Sequence, residues 1–240
     1  MAPSTKSGRT GRLLAIIGGV VVLLAIAVVL VVVFVLPDDA PDKEELTDSS
    51  EATGEEVDVG GLDGTWTVVA GEGDTETYAG YRVEEVFAAG ARRATAIGQT
   101  HDVTGELTVA DEQVTVAAIT VDVTTLESDE GRRDNALRNR GLQTDRFPEA
   151  TFELTESVVL PELEDGIVAT VPVQGELTLH GVTNAVTVDL AVRPTGDVFT
   201  IDASVPVVFA DYDIEAPSVA GLLTVEDEGS LEFRISFQRA

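Results

Sequence analysis

The chain has 240 residues, 43 acidic against 15 basic, for a formal net charge of −28, and no cysteine. The missing cysteines exclude disulfides, thiol nucleophiles, cysteine-ligated metals and an acylated-cysteine anchor. The charge is uneven: residues 1–37 hold Lys6, Arg9 and Arg12 and no acid, leaving 12 cations against all 43 acids beyond them, a net −31 that as a whole repels nucleic acid and anionic head groups and excludes nucleic acid as a partner.

Residues 1–12 read as a basic cytoplasmic tail. Leu13 to Leu36 follows as 24 residues without a charge, rich in Val, Leu, Ile and Ala. A helix rising about 1.5 Å per residue carries such a run across a hydrocarbon core of about 30 Å. Basic residues before it and acidic ones after it place the N-terminus in the cytoplasm and the rest outside the cytoplasmic membrane. A cleaved signal peptide is the competing reading. Its apolar region would be shorter, and Val35-Leu36-Pro37-Asp38-Asp39-Ala40 makes a poor cleavage site. The reading adopted is an uncleaved single-pass signal-anchor over 13–36.

Residues 37–63 read as an acidic, disordered linker. Ten residues between Asp38 and Asp58 are acidic and none is aromatic, a composition with little apolar surface to offset ordering entropy.

From Gly64 to Ala240 the hydrophobic period becomes two. Tyr81, Val83 and Phe87 alternate with Arg82, Glu84 and Val86. The same alternation recurs at Glu106–Val109, Thr151–Leu154, Glu176–Leu179, Thr187–Val192 and Leu231–Phe237. Val, Thr and Ile dominate, as in antiparallel strands with one buried and one wet face. Turn residues separate the runs at 70–74, 164–166, 194–197 and 226–229. This spacing predicts an all-β meander, closed as a barrel or stacked as a sandwich. A parity slip within 113–125 predicts a β-bulge at Ala117-Ala118. Ser128 to Arg140, with a capping serine, early acids and late arginines, predicts a short helix between strands.

Catalytic signatures are missing. His101 and His180 stand alone, so no metal site is expected. There is no Gly-x-Ser-x-Gly elbow, no Gly-rich phosphate loop and no dinucleotide fingerprint. Asp211-x-Asp213-x-Glu215 lacks the glycine and distal glutamate of a calcium loop and reads as a solvated turn. Carboxylate pairs are too numerous for any one to stand out as a hydrolase pair.

Five of the twelve cations beyond the anchor fall between Arg132 and Arg146. Arginine forks suit phosphate oxygens, so Arg132, Arg133 and Arg138 are head-group candidates for an anionic ligand. The same arginines could instead pair along the helix with Asp129, Glu130 and Asp134, or pin it to the strands. Trp66 reads as a plug at one end, and His180 as a turn residue.

Several segments, in order and spacing, resemble the YceI-like family of extracytoplasmic lipid-binding proteins. They are Gly64-Thr65-Trp66-Thr67-Val68, Thr77 to Val83, and Val121 to Leu126 followed by Arg133-Asp134 and Leu137. Arg146 to Phe152 and Gly175 to Thr183 complete the set. The chain departs from the family at Phe209-Ala210-Asp211-Tyr212-Asp213, where a basic-x-acid-aromatic-glycine run is usual, and in its anchor. The resemblance implies a lipocalin-like antiparallel β-barrel of about eight strands, not an enzyme, with no required cofactor. It implies an isoprenoid, a quinone-like molecule or a similar amphiphilic lipid held inside. By parity the wall would be Tyr81, Val83, Phe87, Leu107, Val109, Val121, Val123, Phe152, Leu154, Leu177, Leu179, Phe233 and Ile235. The alternatives are a structural or interaction module with a filled β core, and a carboxylate-based hydrolase needing two inward acids on facing strands. A homodimer stays open.

Overall fold

A computed structural model describes residues 40–87, 90, 92–219 and 223–240. The anchor expected at Leu13–Leu36 lies outside these. Among the described residues no helix is long and apolar enough to cross a membrane.

Thirteen strands build one sheet: β1 (Gly64–Val69), β2 (Tyr78–Phe87), β3 (Arg92–Thr100), β4 (Val103–Ala110), β5 (Gln113–Asp122), β6 (Glu127–Ser128), β7 (Glu149–Leu154), β8 (Val158–Val159), β9 (Ala169–Leu179), β10 (Val182–Thr195), β11 (Val198–Val208), β12 (Ser218–Val219) and β13 (Leu223–Arg239). Several lie end to end. β1 and β2 share one edge of β13, with Trp66 opposite Arg239 and Tyr78 opposite Arg234. β3 continues into β4 beside them, and β5 into β6. The result is eight antiparallel staves, closed where β13 pairs with β1. Closure removes the exposed edges that a stacked sheet keeps.

Alternation is clean in β9, but in β13 the expected wet positions Glu232, Arg234 and Ser236 are buried as well. The bulge falls earlier than expected: Thr108 faces Val116 while Val109 faces Val114, so Thr115 is the extra residue, not Ala117-Ala118. Ala117, Ile119 and Val121 then share the inward face. The β9–β10 turn is two residues, His180 and Gly181, both left-handed (φ 52° and 77°), the geometry that matches strand twist.

A short helix, α1 (Gly131–Ala136), runs into a wider π turn over Leu137–Gly141, in which the Leu142 amide donates to the Leu137 carbonyl at 2.8 Å. Its cap is Glu130, whose carboxylate accepts from the Arg132 amide, rather than Ser128. Ser128 instead donates through its amide and hydroxyl to buried Asp134, at 3.0 and 2.6 Å. The helix is thereby tied down at its first turn.

Residues 40–63 differ from the unpacked linker expected of them. They form a strap over the outside of the barrel until Val57, Val59 and Leu62 turn in to its core. The Ala40 amide donates to the Thr95 carbonyl, the Ser49 amide to Gly166 and the Val57 amide to Leu163. Leu46 is buried. Arg234 donates to the Glu44 carbonyl and Arg193 to that of Thr47, both at 2.8 Å. Lys43 and Arg234 both pair with buried Asp202. The composition argument weighs only the segment's own apolar surface. It overlooks backbone and charge partners supplied by distant strands, which satisfy polar groups that burial would otherwise penalise.

Candidate functional site

The barrel encloses a cavity of about 610 Å³. Its wall is mostly aliphatic, with rings from Trp66, Tyr81, Phe152, Phe199 and Phe233 among others, and a barrel of eight staves has room for a small ligand inside such a wall. At one end Trp66 packs edge-on against Phe199 at 5.0 Å, donates from Nε1 to the Leu62 carbonyl at 3.0 Å and lies under the Arg239 guanidinium. Leu62, Trp66, Val109 and Phe237 are buried there and seal it. At the other end α1 and its π turn border the cavity, with Arg132 and Arg140 exposed. That end is the mouth.

All of the inward candidates lie on the cavity wall: Tyr81, Val83 and Phe87 from β2, Leu107 and Val109 from β4, and Val121 and Val123 at the end of β5. Phe152 and Leu154 come from β7, Leu177 and Leu179 from β9, and Phe233 and Ile235 from β13. Two glycines make room for rings. A Cβ on Gly98 would stand 2.4 Å from the Tyr81 ring, and one on Gly175 2.3 Å from that of Phe152. Burial pushes the Tyr81 phenol up to about 12, against the pull of the Arg133 guanidinium.

The three arginine candidates separate. Arg132 is exposed at the mouth, with no ion pair among the described residues. Arg133 reaches the mouth but is committed to protein. Its Nε and Nη2 donate to the two carboxylate oxygens of buried Glu85 at 2.9 and 3.0 Å, and its Nη1 to Ser128 and Asp129. Arg138 turns away from the cavity and donates to the Leu126 carbonyl at 3.1 Å. Two further residues matter here. Arg140, within the arginine cluster but not among the three candidates, also borders the mouth. Glu85 shares the inward parity of Tyr81, Val83 and Phe87, a signal present in the sequence and hidden by its charge.

Among the described residues three carboxylates border the cavity and each is occupied: Glu85 by Arg133, Glu232 by Arg82 at 2.7 and 3.2 Å, and Glu130 as the helix cap. Among the described residues no three His, Cys, Asp or Glu side chains gather as a metal site. His180 is held by the Tyr212 carbonyl and the Phe147 ring.

A closed antiparallel barrel around an apolar chamber, plugged at one end and edged with arginine at the other, defines a β-barrel binding protein. The model of the YceI-like domain matches residues 74–237, and the chain belongs to that family, whose members are binding proteins rather than enzymes. Among solved structures, a polyisoprenoid-binding domain from Saccharophagus degradans implicated in plant cell wall breakdown aligns with a TM-score of 0.55. It is 17% identical, over 73% of this chain and 98% of that one. BcnA of Burkholderia cenocepacia aligns at 0.47 with 17% identity, over 65% and 95% of the two chains. The Campylobacter jejuni YceI protein aligns at 0.46 with 13% identity, over 58% and 82%. No curated protein matches the chain.

Proposed function

We propose that this chain is a membrane-tethered, extracytoplasmic binding protein that holds one long isoprenoid, quinone-like molecule or similar amphiphile inside its barrel. The observation that carries this reading is the apolar cavity of about 610 Å³, within the roughly 300–1,000 Å³ typical of small-molecule sites. Each buried methylene contributes about 0.8 kcal/mol, so a five-carbon isoprene unit brings on the order of 4 kcal/mol before ordering losses. The apolar tail fills the chamber, and the head group stays at the mouth by Arg132 and Arg140. The tether is the apolar run Leu13–Leu36. A filled-core interaction module would have no such chamber, and a hydrolase would need inward acids free of arginine.

The test is native mass spectrometry of the chain from Asp38, which keeps the strap, purified without detergent and then extracted with organic solvent. A co-purifying isoprenoid or other amphiphile is expected. A protein that is empty and takes up neither polyprenyl phosphate nor a quinone refutes the proposal.

A further inference from the structure

The path of the strap decides which end of the barrel meets the membrane. Its first described residue, Ala40, is bonded through its amide to the Thr95 carbonyl of β3 at 3.1 Å. Thr95 stands three positions from Arg92, where β3 leaves the β2–β3 hairpin opposite Phe87, so it lies roughly 10 Å from the hairpin end. That hairpin belongs to the mouth. Phe87 lines the cavity, and Glu85, two residues earlier, is what α1 grips through Arg133.

On the sequence side, the apolar run ends at Leu36, four residues before Ala40. Four residues reach at most roughly 14 Å. The sealed end is much farther away. β3 and β4 carry the chain from Thr95 to Ala110, roughly 50 Å of strand and roughly 35 Å of barrel height at the usual tilt. A connection of four residues reaches the mouth rim and falls well short of the plugged end.

We infer that the barrel stands mouth-down on the leaflet its own span enters, with the surface around Arg132, Arg140 and the β2–β3 hairpin against the lipid head groups. The inference rests on the anchor reading proposed above and adds an orientation and a route to it. A lipid passes between bilayer and chamber at the mouth, its tail moving from one apolar environment to another without a full exposure to water. Arg132 and Arg140, exposed and with no ion pair among the described residues, face the phosphate plane, where each arginine near an anionic surface is attracted to it. In this arrangement the strap acts as a short leash, pinned by Lys43 and Arg234 to Asp202, and holds the mouth on its source of ligand.

The absence of cysteine makes the test direct. Single cysteines are placed in the full-length chain at exposed Asn139, on the π turn at the mouth (Asn139→Cys), and at exposed Asp197, in the β10–β11 turn of the sealed end (Asp197→Cys). Each carries a fluorophore. The proteins are reconstituted into phosphatidylglycerol–phosphatidylethanolamine vesicles whose head groups bear a nitroxide quencher. Quenching several-fold stronger at 139 than at 197 is expected. Equal quenching, or stronger quenching at 197, overturns the mouth-down arrangement while leaving the anchor standing. A chain that does not float with vesicles after an alkaline wash removes the anchor and the inference together. Organic extraction of the same preparations reports on lipid binding separately, so an empty chamber counts against the carrier reading and not against the orientation.

Discussion

Removing the Arg133 guanidinium is the sharpest test of how the mouth is held. Arg133→Met leaves the Glu85 carboxylate, with only 5% of its side chain exposed, inside an apolar wall with both of its fork hydrogen bonds gone. Breaking one side of a buried ion pair typically destabilises by about 3–5 kcal/mol. The second partner of Arg133, Asp129, is 60% exposed and adds little. For a domain of this size that loss lowers the melting temperature by roughly 6–20 °C. Replacing both residues, Glu85→Leu with Arg133→Met, removes the stranded charge and restores most of the loss, since apolar replacements of buried pairs are often neutral. The assay is urea unfolding of the chain from Asp38, followed by the fluorescence of Trp66, the single tryptophan, as a double-mutant cycle. A single mutant within 1 kcal/mol of the parent, on the order of an exposed pair, refutes the reasoning. So does a double mutant as unstable as the single one.

Ala117 lines the cavity without filling it; Ala117→Phe is expected to abolish uptake of a long polyprenyl lipid with no loss of thermal stability, and undiminished uptake shows that lipid sits elsewhere. Arg132→Gln with Arg140→Gln is expected to weaken binding of a polyprenyl phosphate by roughly tenfold and leave a neutral quinone unchanged, read by titration calorimetry; equal loss for both ligands removes the phosphate role. Leu46 is 7% exposed, so Leu46→Ala is expected to lower stability by about 2–3 kcal/mol in urea, whereas a loose linker would show no change. The Tyr81 phenol ionises near 12 in the barrel against an ordinary value of 10.0. The unfolded chain therefore releases that proton first as pH rises, and stability declines between those two pH values by roughly 2–3 kcal/mol. Tyr81→Phe lessens the alkaline decline, to which Tyr78 and Tyr212, also pushed up by burial, still contribute, and a parent-minus-mutant phenolate signal centred near the ordinary value contradicts the assignment.

Much of the wall was readable because period two is a strict geometric rule. Once Tyr81 points inward, Val83 and Phe87 must follow, and twist does not alter the parity. The same rule should have placed Glu85 inside. It did not, because a charge is expected to face water unless a partner is known, and that partner, Arg133, is 48 residues away. Near the arginines the local rule itself changes. The π turn over Leu137–Gly141 abandons the 3.6-residue spacing, so Arg138 turns to the Leu126 carbonyl while Arg140 comes to the mouth. The strap was unreadable for a third reason. Lys43, Glu44 and Thr47 find their partners at Asp202, Arg234 and Arg193, and no window of sequence contains both halves of those contacts.

The closing strand carries a consequence for biosynthesis. β13 follows the other twelve described strands along the chain, and it pairs with β1, β2, β11 and β12. The strap precedes every described strand, and its Lys43 and Glu44 contacts wait for Asp202 and Arg234. Native contacts of such long sequence separation slow folding, because loop closure precedes their reward. With the seventeen-residue β13 delivered after the other strands, the barrel can close only once β13 has emerged. Until then an open sheet edge is exposed to neighbouring chains, and a copy truncated before Leu223 cannot close the barrel and loses the Arg234 contact of its strap.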